Sequence, residues 1–567
     1  MNDVLLIPDP SDKEADWTLD PEGGQPVHEA EAAPEPAAAS PMQEVNRHFG
    51  TNVAATVSAR VVNMARGVCL VPFLLWHIGL EAYGIWTTIF ILVSYVGVTT
   101  LGLSNVYIKY VAEFHARREY DKANALLSTG LSITIPLCAA LFAGFVLCWK
   151  WYSPWLRLPP AHAADGKEAV LIVLGIFLSS IAFNGFGDLL TGTQQIAATQ
   201  VFLIISILTE FALILWLVSE GRGIRGLAEA YLARTILNDG LTIWWAFRKL
   251  KWLHVSPRLV SSEAIKQVVH FGGVVQFQTM LSIFLASVER LAGLMSIGVK
   301  AAGLLDVAKK WPSALSTVPM SFFFALLPAA SHVEAASSPS ERLRNLRKLY
   351  LSTSRYSNLS TVAFVAAIVF WAGPILHVWL GPELPKLHSA VTLFVVFSLA
   401  MQFHMLTGPG NSLFRGIGRI YEEFNYSVPN LALLAMALPM ARWIQGSWTP
   451  LGIGVAAAVA TILSACVLMG RVLFVLDLKL IHYLKVVIVP GLAAYMVAFL
   501  LAWPVAKLVA AANRWEGAGV LLAAGVVYAG GTILILYRWV LTNEEKRKGA
   551  ELYSRGLGVL RGREAVA

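Results

Sequence analysis

The chain repeats one pattern: runs of mostly apolar residues joined by short polar connections. A helix needs about 20 such residues to cross the hydrocarbon core of a bilayer. Fourteen candidate runs lie near 53–75, 84–106, 127–149, 168–190, 197–218, 226–247, 267–288, 303–328, 353–375, 389–411, 424–441, 451–470, 485–503 and 517–537. The sixth, eighth and eleventh are the least regular, because charge or proline interrupts or shortens them. The connections leave no room for a large soluble domain. The expected fold is all-α, a polytopic membrane protein with about 14 transmembrane helices.

Composition agrees. The 567 residues are 56% hydrophobic and 14% charged, against roughly a quarter charged in soluble domains. A soluble protein this apolar could not cover its surface. That excludes an ordinary cytosolic enzyme, a disordered scaffold and a nucleic-acid binder, despite the net charge of +8. Cys69, Cys138, Cys148 and Cys466 all sit in apolar runs, where they act as small hydrophobes rather than as a disulfide framework. No P-loop, HExxH or CxxC is present to support ATP hydrolysis or zinc chemistry.

The net charge hides an asymmetry. Residues 1–45 hold eleven acids against the single base Lys13, and seven prolines, and read as a disordered acidic tail. The remaining cations are unevenly spread. If the tail is cytoplasmic, the inner connections and the basic segment 541–567 carry 26 Lys and Arg against 11 in the outer ones, Arg290 among the latter. This excess on one side sets orientation, with both termini cytoplasmic. It also accounts for the basic charge without nucleic acid.

The chain also resembles itself. Leu75, Ile78, Gly79, Ala82 and Gly84 recur as Leu294, Ile297, Gly298, Ala301 and Gly303, at an offset of 219 and without a gap. Trp155-Leu156 recurs as Trp379-Leu380, and Leu189 and Gly192 as Leu413 and Gly416, all at 224. An insertion in the 331–350 loop absorbs the difference. Two six-helix lobes follow, 46–247 and 248–473, in the same orientation and related by an axis along the membrane normal. Two C-terminal helices occupy 474–540.

On these grounds the chain resembles the polysaccharide flippases of the multidrug/oligosaccharidyl-lipid/polysaccharide (MOP) exporter superfamily over roughly residues 46–540. The resemblance rests on Ile78-Gly-Leu-Glu-Ala-Tyr-Gly-Ile-Trp86, Leu101-Gly102, Asp306-Val-Ala-Lys-Lys-Trp-Pro312, Leu327-Pro328-Ala-Ala-Ser331, Trp379-Leu-Gly381 and Asn411-Ser-Leu-Phe-Arg-Gly-Ile-Gly-Arg419. It implies a non-enzymatic flippase that moves a lipid-diphosphate-linked oligosaccharide from the cytoplasmic to the outer leaflet of a bacterial inner membrane. The alternatives are a cation-coupled multidrug exporter of the same superfamily, and a membrane glycosyltransferase or polymerase. Partners implied are the lipid-linked oligosaccharide, membrane lipids and a glycan polymerase or other assembly proteins. No cofactor is expected; coupling would be to Na+ or H+.

Charges at membrane depth are the candidate site, since each costs several kcal/mol unless it meets a partner or a cavity. Arg60 and Arg66 lie in the first run, six residues apart and not on one narrow stripe. Snorkelling competes with a cavity role for Arg60. The resemblance strengthens the cavity role for both, because lipid II flippases carry two arginines with this spacing in the first helix. Asp306 and Lys310 are spaced i,i+4 and can pair, leaving Lys309 to bind an anion beside Lys310. Arg234 and Asp239, five apart, suit a structural contact. Glu210 and Asp188 are candidates for a coupling ion. Pro312, Pro319 and Pro328 interrupt the eighth run and Gly408-Pro409-Gly410 the tenth, making Pro312 and Pro409 candidate hinges. Trp76, Trp86 and Trp311 are candidates for stacking on sugars. Deleting residues 1–45 is expected to leave export unchanged, as read by surface glycan at matched protein levels.

Overall fold

The computed structural model describes residues 41–96, 103–316, 326, 330, 331, 333, 334, 339–387, 389–540, 546 and 547. Two units divide the chain at Arg47 and His48. Of the first, residues 41–47 are described and are helical. The described residues 41–45 are thus helical, inside the stretch expected to be a disordered tail. All that follows concerns the second unit.

The described residues are mostly helical and include no strand, and fourteen of their helices are longer than ten residues. In chain order they are α1 Pro41–Val96, α2 Leu103–Ala116, α3 Tyr120–Leu147, α4 Ala163–Gly192, α5 Ile196–Ser219, α6 Gly223–Lys249, α7 Ser262–Ser296, α8 Val299–Leu315, α9 Pro339–Leu380, α10 Ala390–Gly416, α11 Phe424–Gln445, α12 Pro450–Val475, α13 Leu492–Ala511 and α14 Arg514–Ile535. Ten stretches among the described residues are helical, long and apolar enough to cross a membrane. The first, Ala54–Val93, holds parts of two expected runs, because α1 breaks at Gly79. α6, α7 and α8 are helical where expected but are not among the ten. Glu229, Arg234 and Asp239 lower the hydropathy of α6, and α8 spans 17 residues. Large apolar side chains such as Trp443, Leu500, Leu522 and Val526 are exposed, as lipid-facing residues should be.

Two of the expected helix interruptions are absent. α8 runs through Pro312 to Leu315, and α10 is continuous through Pro409. Proline deletes one backbone hydrogen bond, but neighbouring helices can hold such a helix together. Pro409 is itself buried, and a Cβ at Gly410 would lie 2.8 Å from Val472 of α12. That glycine serves close packing rather than a hinge. Non-helical dihedrals occur instead at Gly79 and at Trp371 in α9. Pro319 and Pro328 lie outside the described residues, as do Leu101 and Gly102.

The self-similar positions have matching local geometry. Gly79 and Gly298 both adopt positive φ, +76° and +134°, at the turns after the first part of α1 and after α7. α4 and α10 end alike, at Gly192 and Gly416. The Thr193 amide donates to the Leu189 carbonyl and the Ile417 amide to that of Leu413, both at 3.0 Å. The next residues, Gln194 and Gly418, are both left-handed. Leu189 and Leu413 are fully buried. The tryptophans differ: Trp155 is exposed while Trp379 is buried.

The two matched glycines also touch. A Cβ built on Gly84 would sit 2.0 Å from the Val299 carbonyl oxygen, and one on Gly303 would sit 3.0 Å from the Gly84 Cα. Around this crossing Glu81 pairs with Lys300 at 2.9 Å, and the Trp379 indole donates to the Val68 carbonyl at 3.0 Å. Backbone cannot yield here, so a methyl at Gly84 must part α1 from α8. Gly84→Ala is expected to cost about 1–3 kcal/mol and to lower the melting temperature in detergent. Gly67→Ala, where a Cβ meets nothing within 4 Å, should leave it unchanged or raised.

Candidate functional site

Two ionic clusters lie within the helical bundle. In the first, Arg66 of α1 pairs with Glu210 of α5, and Arg234 of α6 reaches the same carboxylate oxygen at 3.2 Å. Glu210 is almost wholly buried, while both arginine side chains keep about a fifth of their surface. Tyr231, one turn before Arg234, lies 5.8 Å beneath its guanidinium. Arg60 lies earlier on α1 and is exposed.

The second cluster joins α1, α7 and α8. Asp306 accepts from Tyr83 at 2.6 Å, from Arg290 at 2.9 Å and from Lys310 at 3.0 Å. The i,i+4 pair is therefore present, but with two further donors. Lys309 does point elsewhere: it pairs with the buried Glu289 at 2.6 Å and donates to the Ala286 carbonyl at 3.1 Å. Arg290 corrects the sequence reading, which placed it in an outer connection. The seventh run seemed to end at the adjacent charges Glu289 and Arg290, yet α7 continues to Ser296 because both find partners on α8.

Lys309, Glu289 and Arg290 line a cavity of about 620 Å³ among α7, α8, α10, α11 and α12. Small-ligand sites span roughly 300–1,000 Å³, so this one can take part of a polar headgroup. Its wall also carries His404, Asn411, Tyr426, Asn430 and Thr461. His404 Nδ1 and Asn411 Oδ1 are buried without a hydrogen-bond partner among the described residues. Buried polar atoms are normally satisfied, so both can bond water or cargo. At one end Arg415 pairs with Glu423 at 2.5 and 2.8 Å.

The other candidates divide. Arg234 and Asp239 do not pair: Asp239 accepts from Ser180 and Asn238, both at 3.0 Å. Asp188 and Asp239 line a polar pocket of about 200 Å³ in the first half, where Asn184 donates to Asp188 at 3.1 Å. Trp86 is buried edge-on against Phe90 and is unavailable for stacking. Trp76 and Trp311 line a second, aromatic-rich cavity of about 760 Å³ with Trp371, Trp379 and Trp515. Sequence reasoning missed Glu289, Arg290 and His404 as site residues. The repeat offered a signal, since an offset of 219 puts Arg290 opposite Val71, inside the first helix.

Comparison with known proteins places this architecture. No family profile matches the chain. It is 22% identical over 518 residues, 88% of its length, to the uncharacterized membrane protein EpsK of Bacillus subtilis (strain 168), of which the match covers 97%. Its fold is similar to that of an inward-facing multidrug resistance MATE family transporter of the MOP superfamily, with TM-score 0.59 and 15% identity over 74% of this chain and 94% of that one. It is also similar to the lipid II flippase MurJ in an inward closed conformation, with TM-score 0.58 and 12% identity over 86% of this chain and 99% of that one. The chain thus has the fold shared by these two proteins.

Glu210 neutralises two arginines, so its loss should be worse than the loss of either partner. Removing one member of a buried pair costs about 3–5 kcal/mol because the other charge is stranded. Glu210→Ala is expected to lower the melting temperature in detergent, and adding Arg66→Leu should recover part of the loss. No recovery in the double variant would show that the pair is not coupled.

Proposed function

We propose that the chain translocates a lipid-diphosphate-linked oligosaccharide from the cytoplasmic to the outer leaflet of a bacterial inner membrane, without chemistry on the cargo. One observation carries this reading. Across the two clusters, five cations (Arg66, Arg234, Arg290, Lys309, Lys310) meet three carboxylates (Glu210, Glu289, Asp306). The positive excess suits an anionic cargo. A diphosphate must leave high dielectric to cross the slab, and fixed cations in a wet cavity lower that barrier. Arginine grips phosphate oxygens bidentately and lysine acts as a compact charge.

The rest of the cavity supports a sugar. Tyr426, Asn430, Asn411, His404 and Thr461 offer hydroxyl, amide and imidazole groups, which is the chemistry a glycan's hydroxyls require. Alternating access would separate the α1–α8 crossing at Gly84 and Gly303. With both termini cytoplasmic, that crossing closes the outer side. Among fold relatives, MurJ is a lipid II flippase and the MATE proteins are multidrug transporters; the charge balance favours cargo of the former kind. Na+ or H+ is the proposed coupling ion, and a glycan polymerase a partner.

Proteoliposomes containing the purified chain test this with a fluorescent polyprenyl-diphosphate oligosaccharide. Wild-type protein should move label between leaflets, and Arg66→Ala and Lys309→Ala should abolish the movement at equal protein levels. Retained movement in both variants would remove the cations from the pathway. Efflux of a cationic drug with no glycan translocation would replace this reading with that of a cation-coupled multidrug exporter.

A further inference from the structure

A third cavity, of about 420 Å³, lies apart from both clusters, where the first half of α9 meets the segment before α13. It is lined by Arg344, Arg347, Lys348, Arg355 and His482, with Ser352 and the aliphatic Leu351, Leu478 and Val486. Among the described residues no acidic side chain lines it. We propose that this pocket binds the phosphate of an anionic phospholipid headgroup in the leaflet that the Lys and Arg distribution assigns to the cytoplasm.

The cations are arranged for one ligand. Arg344, Lys348, Leu351 and Arg355 follow each other at intervals of three or four, with Ser352 four beyond Lys348, which places them along one face of α9. Like charges so spaced repel, and a bound anion would relieve them. Two carboxylates reach members of the set. Asp477 holds Arg347 at 2.6 Å, and that arginine also donates to the Leu476 carbonyl at 2.6 Å. Arg347 therefore anchors the loop before His482. Glu341 approaches Arg344 at 3.7 Å, with both side chains more than half exposed, a geometry worth little in water.

Depth and lining select a lipid rather than a soluble anion. α9 has 42 residues, roughly 63 Å at 1.5 Å per residue, about twice the hydrocarbon core. If the apolar run 353–375 fills that core, Leu351 and Ser352 lie at its edge and Lys348 about 7 Å outside it, at headgroup level. Leu351, Leu478 and Val486 then supply an apolar wall for the glycerol and upper acyl region. A basic pocket between transmembrane helices on the cytoplasmic side is the arrangement that holds such headgroups. The inference holds for any cargo.

The test uses the full-length protein, delipidated in detergent and titrated with phosphatidylglycerol or phosphatidylcholine of the same acyl chains, with bound lipid counted by native mass spectrometry. Phosphatidylglycerol should bind about tenfold more tightly or better. Each neutralised cation near a membrane surface weakens binding about fivefold, so the variant R344Q/K348Q/R355Q should lose the preference. Its melting temperature without lipid checks the fold. If it does not purify, K348Q, at an exposed side chain, should still weaken phosphatidylglycerol binding about fivefold. Equal binding of the two lipids, or an unchanged preference in the variant that purifies, overturns the proposal. Inorganic phosphate displacing phosphatidylglycerol at equal concentration would overturn the lipid assignment by showing that the pocket takes the free anion.

Discussion

A charge inside a hydrocarbon slab must find a counter-charge or a wet surface, and the bundle is organised around that requirement. Glu210 ties α5 to α1 and α6; Asp306 ties α8 to α1 and α7; Glu289 ties α7 to Lys309 of α8. Within membranes apolar side chains gain little by leaving lipid for protein, so helix association rests on packing and polar contacts. Each carboxylate here fastens helices that an apolar seam would hold less specifically. The same groups give the two clusters their positive balance. Architecture and proposed cargo recognition therefore draw on one set of residues.

Close backbone approach is the second organising feature. Gly84 and Gly303 occupy matched places in the two halves and meet at the crossing of α1 and α8. Small residues permit such contact where any side chain would separate the helices. Tyr83, next to one of these glycines, donates to Asp306, three residues after the other. Packing and charge pairing are thus only one residue apart on α1. A motion that opens the crossing must also release the tyrosine.

Much of this was legible in the sequence, for physical reasons that also mark the limits. The helices were visible because lipid demands long uninterrupted apolar runs. The turn glycines were visible because positive φ at Gly79 and Gly298, and close contact at Gly84 and Gly303, leave other residues no place. The Asp306–Lys310 pair followed from helical spacing. Arg290 was misplaced because its partner lies 16 residues away, across a turn; a run of hydropathy registers the charge but not the carboxylate that tolerates it. Lys309 showed the same blindness towards Glu289. Proline is similar: the residue type announces a lost hydrogen bond, but whether the helix breaks depends on neighbours, and around Pro312 and Pro409 it does not. The basic pocket on α9 passed as a topology signal, since its meaning lies in what faces it.

The three carboxylates differ in how many cations they hold. Glu210 and Asp306 each keep two, whereas Glu289 keeps Lys309. One cation can turn from either of the first two towards a passing phosphate, and the carboxylate it leaves is still neutralised. The exchange swaps one ion pair for another and strands no charge in the bilayer. Among the described residues Lys309 is the one ion-pair partner of Glu289, so it must meet cargo while still holding that carboxylate. The bundle thus contains two ionic relays that can be lent out and one latch that cannot.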